Sequence, residues 1–309
     1  MCKIFFLFAL LLLLIGFINR KVVRVIAIIA VFLLLCREIF YRLDRMSHVG
    51  SNKKCFICDM FKKIGYDTLK YSQVKNFSIA AVPTSIIDLS SNAGTIQISS
   101  WDKDVVQVKA EMRAKKKKGL ERIQVIVNKV GDNKIIINDS DSFILAQKEG
   151  NRVIGHVNYE IKVPQKVASL VLKTYSGNIT VGKVEADVKI DVSSGNIEVK
   201  NVSGILDLVS KSGIIEVMNA DKQVKADLAS GNIYMTGIQG PIVAQIKSGN
   251  IILKDVSKAV NASIYSGNII IERAMGAIGV VTAKTFSGNV KVKDSFGKVI
   301  SQGTDVTVE

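Results

Sequence analysis

From Ser176 to Phe286 apolar and polar residues alternate with period two, and the alternation itself returns at a fixed, much longer spacing. A Ser-Gly pair marks each return: Ser176-Gly177, Ser194-Gly195, Ser212-Gly213, Ser230-Gly231, Ser248-Gly249, Ser266-Gly267 and Ser287-Gly288. The first five intervals are equal and the last is longer by three. Counting each Ser as position one, position four reads Ile179, Ile197, Ile215, Ile233, Ile251, Ile269 and Val290. Position six reads Val181, Val199, Val217, Met235, Leu253, Ile271 and Val292, and position 13 reads Val188, Leu206, Val224, Ile242, Val260, Ile278 and Val299. Apolar residues on both sides of a variable one describe a strand with one buried face, and helical spacing is missing.

One repeat therefore predicts one coil with two strands joined by turns. A coil cannot bury its apolar face alone, but coils stacked about 4.8 Å apart pair strand to strand and turn the Ile and Val positions into internal ladders. The predicted fold is mainly β: a single-chain β-solenoid of 18-residue coils, preceded by N-terminal transmembrane helices. Gly177, Gly195, Gly213, Gly231, Gly249, Gly267 and Gly288 read as structural corners with positive φ. The Asn that follows most of them is expected to stack as a ladder of amides.

Upstream, residues 4–18 and 22–36 are apolar blocks of 15 residues each, the second broken only by Arg24. Both fall short of the usual span of about 17–25, which snorkelling of Arg20, Lys21 and Arg24 extends. The expectation is a two-helix membrane hairpin within residues 1–40, with a signal peptide plus one span, or a single irregular span, as alternatives. Residues 41–76 form a basic juxtamembrane linker, and 77–309 the solenoid. Charge supports this division. The net charge is +15, of which residues 1–75 supply +9 (13 Lys and Arg against 4 Asp and Glu). A positive excess beside apolar segments favours an anionic bilayer, contacted through residues 4–36, over nucleic acid. Basic residues after Cys36 place the solenoid on the cytoplasmic side of the cell membrane in preference to the extracellular side.

Strands begin near Phe77. Ile86–Leu89 and Thr95–Ile98 flank Gly94, an early copy of the corner, and Val106, Val108, Ala110 and Met112 alternate after Trp101-Asp102. Lys115 to Lys118 make a charged tip. The coils here are less regular, as terminal repeats that close a stack often are. Pro164 ends the irregular part.

Gly94, Ile96 and Ile98, then Trp101-Asp102, the Val-x-Val strand, Tyr159-x-Ile161-x-Val163-Pro164 and the train of Ser-Gly-Asn-Ile repeats together resemble the bacterial "putative adhesin" β-repeat family. The resemblance covers roughly residues 77–309. It implies a β-helix-like body with a loose association with the cell envelope, and it carries no catalytic residue onto this chain.

Chemistry is sparse. Cys55-Phe56-Ile57-Cys58 is a lone C-x-x-C without the further ligands zinc needs. No phosphate loop, nucleophile elbow or His triad is present, and the acidic residues of the repeats are scattered, with Glu198 and Glu216 the nearest to a pair. The expectation is a non-enzyme with no cofactor, no metal and no catalytic residue. It is an interaction or scaffold module, with a surface adhesin or glycan-binding body as the alternative and a polysaccharide-active enzyme behind both. A protein partner or self-association fits a long flat face; a glycan is the other candidate ligand. Tyr175, Tyr265 and Phe286 each precede a Ser-Gly corner and form the candidate contact edge.

Overall fold

Alternating β-branched residues favour extended backbone, and a glycine once per coil lets that backbone turn where a side chain would obstruct it. The computed structural model describes residues 70–139, 155–274, 280–295 and 298–309. Asp67–Glu309 forms one compact unit.

The regular coils begin with β8 (Lys166–Ser176) and β9 (Ile179–Ser194). The first part of β9 pairs in parallel with β3 (Ile96–Trp101) and β10 (Ile197–Val202), and its later part with β8 and β11 (Leu206–Ala220). One coil therefore feeds two stacks. β11, β12 (Val224–Ile238), β13 (Ile242–Val256) and β14 (Val260–Ala274) each run through a Ser-Gly corner and contribute to both. The pairing continues into β15 (Val280–Ser287) and β17 (Lys298–Gln302) in one stack, and into β16 (Asn289–Ser295) and β18 (Asp305–Val308) in the other.

The N-terminal end is closed differently. There β2 (Ile86–Ala93) pairs in parallel with β6 (Lys134–Asp139) and β8, and β7 (Gly155–Pro164) with β3. Outside them the direction reverses: β5 (Val125–Val130) is antiparallel to β6, β4 (Val105–Ala114) to β7, and β1 (Tyr71–Ala80) to β4. Met112, Ala114, Ile123 and Val125 seal this end of the core. The short helix α1 (Lys117–Leu120) carries part of the charged tip.

The core is the set of ladders at positions four, six, nine, 13, 15 and 17. Ile215, Val217, Ala220, Val224, Ala226 and Leu228 all have 0% exposure. Full burial of each larger side chain contributes roughly 1.5–3 kcal/mol. Volume is balanced within a coil: Leu172, Ile190 and Leu208 fill position 15 where Thr174, Val192 and Ser210 occupy position 17. From the next coil onward Ala226, Ala244 and Ala262 are matched by Leu228, Ile246 and Ile264. A core at close packing tolerates such a swap because the sum is kept.

Three expectations need correction. The described residues hold no transmembrane helix: none of their helices is long and apolar enough to cross a membrane. The period-two alternation of the strands never supplies the required apolar run, and α1 spans only Lys117–Leu120. The hairpin expected at residues 4–36, the linker to residue 69 and the Cys55–Cys58 pair lie outside the described residues. At position 13, Val260 is followed by Val281 and not by Ile278. The three extra residues of the last interval are thus taken up between Ala274 and Val281, before the strand pairing resumes. Finally, β1 starts at Tyr71, six residues ahead of Phe77. Its first four residues are all exposed, so no alternation of burial announces it.

Gly231 has φ +136°, and a Cβ placed on it would lie 1.8 Å from the Gly213 carbonyl oxygen of the preceding coil. Gly131 also has positive φ, +63°, but faces open space. Gly231→Ala is therefore expected to cost about 3 kcal/mol or more, and Gly131→Ala about 1 kcal/mol. Urea unfolding midpoints of the two variants check this.

Candidate contact surface

The residue before each Ser-Gly corner points to solvent along one edge of the stack. Tyr265 and Phe286 stand on this edge in adjacent coils. Their rings stack with centroids 5.0 Å apart and planes 4° from parallel, while remaining 64% and 76% exposed. Tyr175 occupies the same column but five coils earlier, with Ser193, Lys211, Ala229 and Lys247 between. The structure thus brings Tyr265 and Phe286 together and leaves Tyr175 apart, so the edge is an aromatic pair followed by a mixed strip.

The seven corner glycines have φ between +133° and +156°, and Gly94, at +118°, stands beneath Gly177 as the first of the column. Beside them runs an amide ladder. The Asn178 Oδ1 accepts the Asn196 N–H at 2.9 Å, the Asn196 Oδ1 accepts the Ile214 N–H at 3.0 Å, and the Asn232 Oδ1 accepts the Asn250 N–H at 3.1 Å. Asn268 and Asn289 continue it. Ile214 is the interruption, an apolar side chain 37% exposed where its neighbours carry an acceptor.

A second corner escaped the sequence reading. Lys183, Asn201, Asn219, Asp255, Arg273 and Asp294 have φ between 51° and 56°, and Gly237 completes the series at 71°. All fall at position eight of their coils. Asn, Asp and Gly tolerate this left-handed backbone better than other residues, and five of the seven positions hold one of them. That enrichment was the available signal. It was masked by Lys183 and Arg273, the latter held by a bidentate ion pair with Asp255 (2.6 and 2.9 Å).

Several of the scattered carboxylates of the repeats are engaged within the chain. Glu198 is paired with Lys200, Asp207 with Lys189 at 3.6 Å, and the Asp187 Oδ1 accepts the Ile205 N–H at 2.8 Å. Glu198 and Glu216 are register neighbours on the outer face. Among the described residues no group of three or more His, Cys, Asp or Glu could hold a metal ion.

Trp101 donates its indole N–H to the Val105 carbonyl at 2.7 Å, and Lys103 and Lys162 approach its ring at 5.1 and 5.6 Å from the centroid. This cation–π arrangement fixes the irregular strand ahead of the repeats. Near the closed end, Asp139 accepts hydrogen bonds from the Ser91 hydroxyl (2.8 Å) and the Asn92 N–H (3.0 Å). Burial pushes its carboxyl above the usual aspartate range despite these bonds, and burial likewise raises the Tyr159 phenol. His156 is lowered, first by burial and then by the Arg113 charge.

Parallel coils of fixed length, an inner set of aliphatic ladders and a glycine corner define a β-solenoid repeat protein. Residues 84–306 match the Toastrack DUF4097 family model, and the chain belongs to that family. Among solved structures, similarity extends to a "putative cell adhesion protein" from Clostridium sporogenes ATCC 15579 (10% identity, 77% of this chain and 100% of that one, TM-score 0.35). It extends also to a "putative adhesin" from Bacteroides fragilis NCTC 9343 (14% identity, 77% and 97%, TM-score 0.30). No curated protein matches the chain.

Two measurements follow from this geometry. Ile214→Asn gives the Asn232 N–H the acceptor its neighbours have and should raise stability by about 0.5–1.5 kcal/mol in urea unfolding. For Asp139 the folded pKa lies above the unfolded one. Its contribution is therefore fully present below the unfolded value and is lost as pH rises through the folded value. As pH rises above about 4, the ordinary aspartate value, the native protein should lose stability relative to Asp139→Asn, as read from thermal midpoints across a pH series.

Proposed function

We propose that the chain is a non-catalytic interaction module that binds a protein partner at the corner carrying Tyr265 and Phe286. The stacked, highly exposed aromatic pair supports this reading. Two large rings held in water by a rigid scaffold keep apolar area available at little entropic cost. Such aromatic anchors dominate the energetics of protein interfaces. Lys247, one coil away in the same column, adds a charged rim. The neighbouring corner holds only Ser, Gly and Asn, whose short side chains let a partner approach the backbone closely.

Full-length protein with a photo-crosslinking amino acid in place of Phe286 should give one discrete protein adduct in extracts of its native cells. Tyr265→Ser should lower the adduct yield at least threefold while leaving the thermal midpoint within about 2 °C, as expected for a surface change. An equal yield from the same crosslinker at Asp191, on the same stack but five coils away, would overturn the reading. So would release of sugar from a polysaccharide by the purified protein.

A further inference from the structure

The outer face of the stack that holds positions three to seven has an order of its own. Along position five, from coil to coil, the register is Glu198, Glu216, Tyr234, Ile252, Ile270, Lys291 and Thr307. These side chains alternate with the buried positions four and six and therefore point outward. Tyr234, Ile252 and Ile270 are only partly covered, by one another. Met218, at position seven, extends the apolar tract toward Glu216.

Most charges on this face are already paired within the chain: Glu198 with Lys200, Lys254 with Glu272 at 2.9 Å, and Lys293 with Glu309 at 3.4 Å. Glu216 and Lys291 make no ion pair among the described residues. The face thus reads, along the solenoid axis, as one unpaired acid, three apolar residues and one unpaired base.

The geometry points to a second copy of this chain as the partner of this face, in a dimer with opposed coil order. A two-fold axis lying in the interface, parallel to the strands and passing over Ile252, reverses the order of the coils and keeps each position opposite its own kind. Ile252 then meets Ile252 of the second copy, Tyr234 meets Ile270, and Glu216 meets Lys291, each of the last two contacts occurring twice by symmetry. At position seven the same axis sets Lys200 against Glu309, and Lys254, whose charge Glu272 already offsets within each chain, against its own copy. An axis along the solenoid instead would set Glu216 against Glu216 and Lys291 against Lys291, a like-charge juxtaposition that disfavours that orientation. A two-fold interface must be self-complementary, and this sequence of acid, apolar and base is.

Size sets the strength. Six coil steps of about 4.8 Å and five strand residues of about 3.3 Å enclose about 475 Å² per copy. That is below the roughly 800 Å² per partner of a durable complex, so the dimer is a weak one, dissociating at about 10–100 µM. This inference rests on the reading of the chain as an interaction module but uses a different surface from the aromatic corner.

Sedimentation of full-length protein from about 5 to 300 µM tests it, a range bracketing the expected dissociation. The native protein should pass from monomer to dimer. Ile252→Lys should raise the dissociation constant at least tenfold, and Glu216→Lys or Lys291→Glu alone at least threefold. The double reversal Glu216→Lys with Lys291→Glu should return it to within twofold of native, an outcome that mere loss of folding cannot produce. With Cys2, Cys36, Cys55 and Cys58 replaced by Ser, Ile252→Cys should oxidise to a covalent dimer and Gln245→Cys should not. A native protein that stays monomeric throughout, an oligomer indifferent to Ile252→Lys, or a double reversal no tighter than its singles overturns the proposal. Tyr265→Ser with Phe286→Ser should leave the dimer intact. Absence of any adduct from the crosslinker at Phe286 in otherwise native protein, with an intact dimer, therefore counts against the corner reading alone.

Discussion

Everything in this molecule depends on how closely one coil can lie on the next. At the Ser-Gly corners the backbone of each coil presses on the carbonyl of the one before it. A Cβ at any of the seven glycines would fall 1.6–2.0 Å from that oxygen, and the positive φ adds a second reason for glycine. The close approach at the corner keeps the flanking strands in hydrogen-bonding register on both stacks. From that register follow the mainly aliphatic ladders inside and, outside, the repeating contacts between equivalent residues of successive coils. The corner contributes little burial itself; it sets the spacing at which burial and pairing elsewhere become possible.

Once the spacing is fixed, each position of the coil acts on its copies above and below. Amides accept backbone N–H groups from the next coil, carboxylates find cations one coil away, and two aromatic rings meet face to face. Such contacts at an exposed surface are individually weak. Their chief effect is to make surface chemistry additive along the axis, so that a face acquires a character no single coil has. The aromatic pair at the corner and the graded face of acid, apolar and base both arise in this way.

Much of this is legible because the repeat converts a long-range property into a spacing. Period-two alternation discloses the strands, and the regular return of the Ser-Gly pair discloses their neighbours, which a non-repetitive sequence would conceal. The failures have physical causes. Ile278 reads as a core residue because the extra residues of the last interval cannot be located without the pairing of Val260 with Val281. The position-eight corner is hidden by Lys183 and Arg273, which adopt a backbone that their types rarely take. The antiparallel closure by β1, β4 and β5 carries no repeat, and strand direction leaves no trace in alternation. At the candidate site, the column holding Tyr175, Tyr265 and Phe286 and the five coils from the first to the second are visible, but not the face-to-face stacking of Tyr265 on Phe286.

The same interval that misled the register has a consequence for how this architecture accommodates change. Three residues are added between Ala274 and Val281, yet Ala262 and Ala283 still face each other in the core and Ser266 still pairs with Ser287. That connection behaves as an expansion joint. Length can vary there without being transmitted to the ladders, because the strand on the far side is re-indexed by its neighbour and not by its distance along the chain. A foreign loop grafted at this joint would alter the outline of one coil while leaving the others blind to it.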